Sequence, residues 1–292
     1  MSTADVVDPD LAVAATNQHY ELPAQVFAAY LDPRLKYSSG IYAGPDTTLA
    51  EAQTAKLHLI ARRLGLTGGE RLLDAGCGWG SLILFMATEY GCHATGVTPS
   101  RTQAAYIDDL ARTMGVRDRI DIRLGRFAEV STDGDYAAAT MVGSIIHMPD
   151  REQVLTRLRA MLARGGRLYL SESCFRNAAV YREFNDRPGT RHVMENIFGF
   201  ADMVPLSVLV AAVETAGFSL TGLDDLTAHY KRTIADWERN AETNRDAIEQ
   251  ALPGGFEPLI RYLRTANAGW GYTAKHYALT AANLRLGPEG TP

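Results

Sequence analysis

The sequence predicts an α/β fold, a doubly wound and mostly parallel sheet with helices before it and a helical insertion covering the substrate side. Three observations predict it. From residue 70 apolar strand-like runs alternate with helical ones, the first strand breaks into a glycine turn, and 292 residues suffice to bury such a core without staples.

The residues before the sheet read as helical. Leu22, Val26, Phe27, Tyr30 and Leu31 recur at helix spacing until Asp32-Pro33. A second helix starts at Thr48, carries Leu49, Ala52, Ala55, Lys56, Leu59 and Ile60, and stops at Gly65. Strands are then expected at 71–75, 93–98, 121–124, 136–143 and 167–172. Helices at 82–89, 101–113 and 151–162 separate them, the last leaving through an Ala163-Arg164-Gly165-Gly166 turn. Beyond Ser173 the alternation fails until an apolar helix at 207–216. An insertion there lies over the strand carboxyl ends, where open α/β sheets bind ligands, so it is expected to cover a substrate. Strands near 218–223 and 271–280, with one helix at 233–251 between them, close the sheet. The domain organisation expected is a helical lid at 1–66, a cofactor-binding core at 67–172, the insertion at 173–217, and completing strands and helix at 218–292.

Composition narrows the function classes. Apolar residues at 46% and charged residues at 22% describe an ordinary soluble domain and not a disordered chain. A net charge of −5 offers no basic surface, so no nucleic-acid partner is expected. Cys77, Cys92 and Cys174 lack zinc spacing and are odd in number, so neither a metal site nor a disulfide framework is expected, and the cytoplasm is the expected compartment. No apolar run approaches a membrane span, so no integral membrane association is expected.

The chemistry concentrates in Leu72-Leu73-Asp74-Ala75-Gly76-Cys77-Gly78-Trp79-Gly80. Gly76 and Gly78 stand where the backbone turns sharply and a ligand comes too close for a Cβ, and Asp74 can anchor the loop or a ligand's amino group. A dinucleotide site prefers wider glycine spacing and an acid after the second strand. Here Gly96-Val97-Thr98-Pro99-Ser100 and Gln103 put a hydroxyl and an amide there instead. On its own the turn also fits other nucleotide sites or a purely structural bend.

Neighbouring motifs narrow this. His19-Tyr20-Glu21-Leu22, Leu31-Asp32-Pro33, Tyr37-Ser38-Ser39, Thr48-Leu49-Ala50-Glu51-Ala52-Gln53, the glycine turn and Gly96-Val97-Thr98 follow in order. Together they resemble the cyclopropane fatty acid synthase and mycolic acid cyclopropane synthase-like family, and the chain also looks like the related plant coclaurine N-methyltransferases. The resemblance implies a class I methyltransferase, Rossmann-like core that takes S-adenosyl-L-methionine and releases S-adenosyl-L-homocysteine, with no metal. It implies Tyr37 and Ser38 at the methionine portion, Gly76 and Gly78 on the backbone side, Thr98 and Gln103 at the ribose, and Arg126 and Phe127 at the adenine.

The acceptor side departs from the family. The resemblance implies a bicarbonate that takes the proton, yet the family's cysteine is Ser39 here, its glutamate is Ile146 before His147, and its strand histidine is Ser171; Tyr230 is the matching group. An anion stripped of those hydrogen bonds is not offset for dehydration, so bicarbonate is not expected. A protein side chain must then take the proton, with Glu172, His229, Tyr20, Tyr230 and His147 as candidates and His19 beside them. Glu172 ends a strand at its carboxyl edge; the competing role is an ion pair with Arg176, Arg182 or Arg187 that pins the insertion. His147, among Ile145, Ile146 and Met148, also reads as a structural histidine.

The expected function is an S-adenosylmethionine-dependent methyltransferase of secondary metabolism. Its expected acceptor is an electron-rich aromatic carbon, such as that of an indole, or an alkene carbon of a hydrophobic small molecule. Phe175, Tyr181, Phe184, Phe198, Phe200 and Trp270 would wall the pocket. The alternatives are a cyclopropane synthase or fatty-acyl C-methyltransferase acting on lipid, an N-methyltransferase, or a cofactor-binding cyclase that transfers no methyl group. A homodimer is compatible with all of them.

Overall fold

A strand covered on both faces has no polar side to show, and Arg71–Ala75 (β1) is buried at every position after its first. Leu72 packs into one core cluster and Leu73 into another, the two-residue period that a central strand imposes. The computed structural model describes residues 22–131, 133–191 and 201–284. β1 lies within a seven-stranded sheet with His93–Thr98 (β2), Ile120–Leu124 (β3), Tyr136–Val142 (β4), Leu162–Phe175 (β5), Ser219–Asp225 (β6) and Ala274–Ala282 (β7), in the order β3-β2-β1-β4-β5-β7-β6. Strands β1 to β5 pair in parallel, and β7 runs antiparallel between β5 and β6. The fold is the expected doubly wound α/β sheet.

The early helices are Ala24–Ala28 (α1) and Leu49–Leu64 (α2). Thr48 and Glu51 close a reciprocal capping box on α2, the Glu51 carboxylate accepting from the Thr48 amide at 2.8 Å, and Gly65 ends the helix at φ +69°. With Ser81–Glu89 (α3) and Arg101–Thr113 (α4), α2 covers one face of the sheet through Leu57, Ile60, Leu82, Phe85 and Ile107. Arg151–Met161 (α5) covers the other through Val154, Leu155 and Leu158.

The sequence expectations need correction in three places. The turn at 163–166 does not precede the strand but is an excursion within β5, because Leu162 pairs with Tyr136 and Arg167 with Ala138. Asn283 fastens it, its amide donating to the Gly166 carbonyl at 2.8 Å. Residues 173–217 hold Ala178–Phe184 (α6), the short Pro188–Arg191 (α7) and Leu206–Thr215 (α8). Leu209, Ala212 and Val213 of α8 are buried beside Leu155 and Leu158, so that helix is a layer of the core.

In place of one helix at 233–251 there are Thr227–Thr243 (α9), Arg245–Ala251 (α10) and Phe256–Ala268 (α11). Asn244 leaves helical geometry at φ −106° and ψ 29°, and Gly254 at φ +76° permits the turn into α11. These helices join α1 in a third apolar cluster that includes Phe27, Tyr30, Trp237, Ile260 and Leu263. Asn240 and Asn244 tie α9 to the residues after α1, their side-chain amides donating to the Tyr30 and Ala29 carbonyls at 3.1 and 2.8 Å. No described helix is long and apolar enough to cross a membrane.

Candidate active site

β1 and β4 are neighbours, but α3 after β1 and α5 after β4 go to opposite faces, so the chain parts above their carboxyl ends and leaves a crevice. A cavity of about 500 Å³ fills it. Gly76 turns the backbone at φ +94°, and a Cβ there would lie 2.4 Å from the Ser144 Cβ. Gly78, at φ +54°, has nothing within 4 Å of its missing Cβ, so a side chain would project into open space at the cavity wall. The Gly76 and Cys77 amides both donate to the Val97 carbonyl, at 3.1 and 3.0 Å, which holds the turn against β2.

Asp74 lies beneath this turn and is 1% exposed. One carboxylate oxygen accepts from the Thr140 hydroxyl at 2.7 Å; the other has no hydrogen-bond partner among the described residues. Burial pushes its carboxyl up to about 6, against the pull of Lys36 and Thr140. A buried acceptor left open beside a glycine cradle fits a ligand that brings a cationic donor, as an α-amino group does.

At the end of β2 the Thr98 hydroxyl donates to the Gln103 side-chain oxygen at 2.7 Å, and the Ser100 amide donates to Thr98 at 3.2 Å. What Gln103 offers a ligand is therefore its amide N–H end, suited to a hydroxyl-bearing sugar. Arg126 and Phe127 line the cavity beyond, Arg126 paired with Glu129. Arg157 pins their loop by donating to the Phe127 and Val130 carbonyls at 3.1 and 2.6 Å.

Tyr37 lines the opposite wall and its hydroxyl meets that of Tyr262 at 3.2 Å. Ser38 is engaged elsewhere, its hydroxyl accepting from the Lys56 ammonium at 2.7 Å and its carbonyl from Gln53 at 2.8 Å. Eight of the nine expected cofactor residues thus gather at or directly beneath one cavity, and Ser38 stands behind its wall. Sequence reasoning missed Lys36, Trp79, Ser144 and Asp150 on the same wall. Lys36 had a signal, being next to Tyr37; Ser144 and Asp150 enter through β4 and its following turn, which only the sheet order brings near.

The expected proton acceptors separate. His147 ends a short 3-10 turn, Ile145–His147, and lines the cavity. Glu172 is buried under that turn and accepts from the Ser173 amide at 2.8 Å, the Ile145 and Ile146 amides favour its charged form, and its second oxygen has no hydrogen-bond partner among the described residues. Burial pushes its carboxyl up to about 7. The ion pairs considered for it do not form: Arg187 pairs with Glu183, and no ion pair reaches Glu172 among the described residues.

His229 is turned to the α2 side, where its ring accepts from the Tyr42 amide at 3.1 Å and stacks on the Tyr42 ring. Tyr230 packs against Trp270 and His276, with ring centres 4.8 and 4.5 Å away. His276 is a buried group that sequence reasoning missed. It shares hydrogen bonds with the Ser171 and Ser173 hydroxyls at 2.8 and 3.2 Å, and burial lowers its pKa to about 3, so it is neutral. The β5–β7 register brings it there, pairing His276 with Ser173. Tyr20 and His19 lie outside the described residues, as do Phe198 and Phe200. Of the other aromatics expected at the substrate pocket, Phe175 packs on Tyr181, Phe184 on Tyr272, and Trp270 on Tyr230.

Comparison with known proteins bears on both sides of the cavity. The family model for mycolic acid cyclopropane synthetase matches residues 8–277. A probable fatty acid methyltransferase of Pseudomonas putida is 27% identical over 264 residues, 88% of this chain and 65% of the relative. Sphingolipid C9-methyltransferase 2 of Gibberella zeae is 33% identical over 239 residues, 79% of this chain and 45% of the relative. The chain thus spans about half to two thirds of the length of these relatives. A cyclopropane synthase of Mycobacterium tuberculosis superposes with a TM-score of 0.83 at 23% identity, over 96% of this chain and 99% of that one. A coclaurine N-methyltransferase bound to N-methylheliamine and S-adenosylhomocysteine does so with a TM-score of 0.80 at 23% identity, over 92% and 81%. At these identities the two structures establish a common fold.

Proposed function

This chain belongs to the mycolic acid cyclopropane synthetase family, and from that membership we propose an S-adenosylmethionine-dependent methyltransferase whose acceptor is a carbon of an apolar, lipid-like chain. The observation that carries the donor half is the unpartnered, buried Asp74 oxygen beneath the Gly76–Gly78 turn of the cavity that Thr98 and Gln103 line. When bound, the cofactor supplies an electrophilic methyl group on a sulfonium centre. Around it this chain's residues bind and orient: Asp74 accepts from the amino group, Gln103 and Thr98 address the ribose, and Phe127 walls the adenine.

On the acceptor side the relatives reverse the order expected from sequence. A probable fatty acid methyltransferase and a sphingolipid C9-methyltransferase support a lipid carbon ahead of an indole or phenol. Glu172 is the group proposed to take the proton, since its open oxygen and raised pKa suit a general base near neutral pH. The test is expression in a host fed methyl-labelled methionine, followed by mass spectrometry of its fatty acids and sphingolipids. New labelled, methyl-branched or cyclopropanated chains are expected; an unchanged lipid profile removes the acyl reading.

A small aromatic or amine acceptor is the second reading. It is favoured by the Tyr37 and Trp79 rings on the cavity wall, since such π faces suit flat or cationic molecules. Label transfer to a panel of indoles, phenols and tertiary amines by the purified protein, with none to lipid, would establish it.

A further inference from the structure

We infer that Lys36 holds the carboxylate of the cofactor's amino-acid end, so that Lys36 and Asp74 together form a site for a zwitterion. The inference rests on the donor reading above. Lys36 lines the same cavity as Gly76 and Gly78 although it is only 7% exposed. Its backbone is fixed from both sides: its amide donates to the Asp32 carboxylate at 2.8 Å, and its carbonyl accepts from the Ser38 amide at 3.1 Å and from Gln53 at 3.3 Å. The residue before it, Leu35, is buried and held at φ +53°, a conformation that a branched side chain adopts at a cost.

A buried ammonium needs a compensating charge. Burial lowers the Lys36 pKa, and Asp74 is the charge that most opposes the shift. Yet no ion pair joins Lys36 to Asp74 among the described residues, and Asp74 keeps one oxygen open. Two opposite charges, Lys36 on the cavity wall and Asp74 beneath its glycine turn, therefore act on each other without a direct ion pair. A ligand carrying an ammonium and a carboxylate on one carbon satisfies both, the ammonium at Asp74 and the carboxylate at Lys36. A dinucleotide phosphate would suit Lys36 and leave Asp74 worse off, and a neutral ligand would leave both uncompensated.

Calorimetry with S-adenosylhomocysteine and with its decarboxylated analogue, in which the amine remains, separates the contributions. The unaltered protein should bind the first roughly 10- to 100-fold more tightly than the second, and Lys36→Met should lose roughly that factor for the first ligand alone. Lys36→Arg should retain a preference for the carboxylate. Retained binding of the analogue by Lys36→Met shows that the pocket is intact. Equal losses for both ligands in Lys36→Met would overturn the assignment and leave Lys36 a role in the fold. Failure of the unaltered protein to bind S-adenosylhomocysteine would instead overturn the donor reading.

Discussion

Replacing Glu172 with glutamine removes one ionisable proton from the interior and leaves the side chain's shape. Its carboxyl is 3% exposed and its pKa is raised from 4.5 to about 7, first by burial, with the amides of Ser173, Ile146 and Ile145 pulling the other way. The folded protein thus keeps a proton that the unfolded chain has released, so the stabilisation is complete below about pH 4.5 and is lost as pH rises through about 7. At about 1.4 kcal/mol per pH unit, that interval amounts to about 3 kcal/mol.

Urea unfolding should therefore show the wild type losing about 3 kcal/mol, relative to Glu172→Gln, between about pH 4 and about pH 8. The glutamine retains an acceptor for the Ser173 amide, so the variant should fold. Curves that run parallel across this range would refute the claim that the carboxyl is neutral when buried. If Glu172 also takes the proton, kcat of the wild type rises through about pH 7 and the variant loses that rise, with S-adenosylhomocysteine affinity near normal. An unchanged rate would return Glu172 to holding the Ile145–His147 turn.

Asp74→Asn should weaken S-adenosylhomocysteine binding by roughly 10- to 100-fold, the worth of a charge-assisted hydrogen bond, and calorimetry reads it directly. Because Asp74 titrates near 6, wild-type affinity should also fall as pH drops below that value, whereas the asparagine variant should show no such fall. Gly78→Val sets a β-branched residue at φ +54° with its side chain in the cavity; binding should be lost and stability should fall by roughly 1–3 kcal/mol, measurable by melting with and without ligand. Thr48→Ala opens the capping box of α2, far from the glycine turn, and should lower stability by about 1 kcal/mol while leaving ligand affinity unchanged.

The parts of the fold that were legible in sequence are those whose causes are local. β1 and β2 match their expected bounds because Gly68-Gly69, Gly76, Gly91 and Pro99 bracket them closely, and α2 starts and stops at residues that cap by their own chemistry. The C-terminal helices were merged into one because Thr233 to Ala251 is periodic throughout and the break at Asn244 carries no glycine or proline. The donor side of the site was readable because Asp74, Gly76, Gly78, Thr98 and Gln103 follow the two strands that carry them. Lys36 and His276 were not, since one is significant for a cavity it shares with distant residues and the other for a strand register. The raised pKa of Glu172 likewise comes from its burial and not from its neighbours in the chain.

The chain has three tryptophans, and all of them belong to this part of the molecule: Trp79 on the cavity wall, Trp237 against Tyr37, and Trp270 against Tyr230. None of their indole N–H groups has a hydrogen-bond partner among the described residues. Indoles so placed emit at short wavelengths, and an acceptor arriving within reach of one shifts its light to the red. Trp79, alone of the three on the cavity wall, should therefore report loading of the donor cavity by its emission, and Trp79→Phe should remove that signal while Trp237 and Trp270 keep theirs.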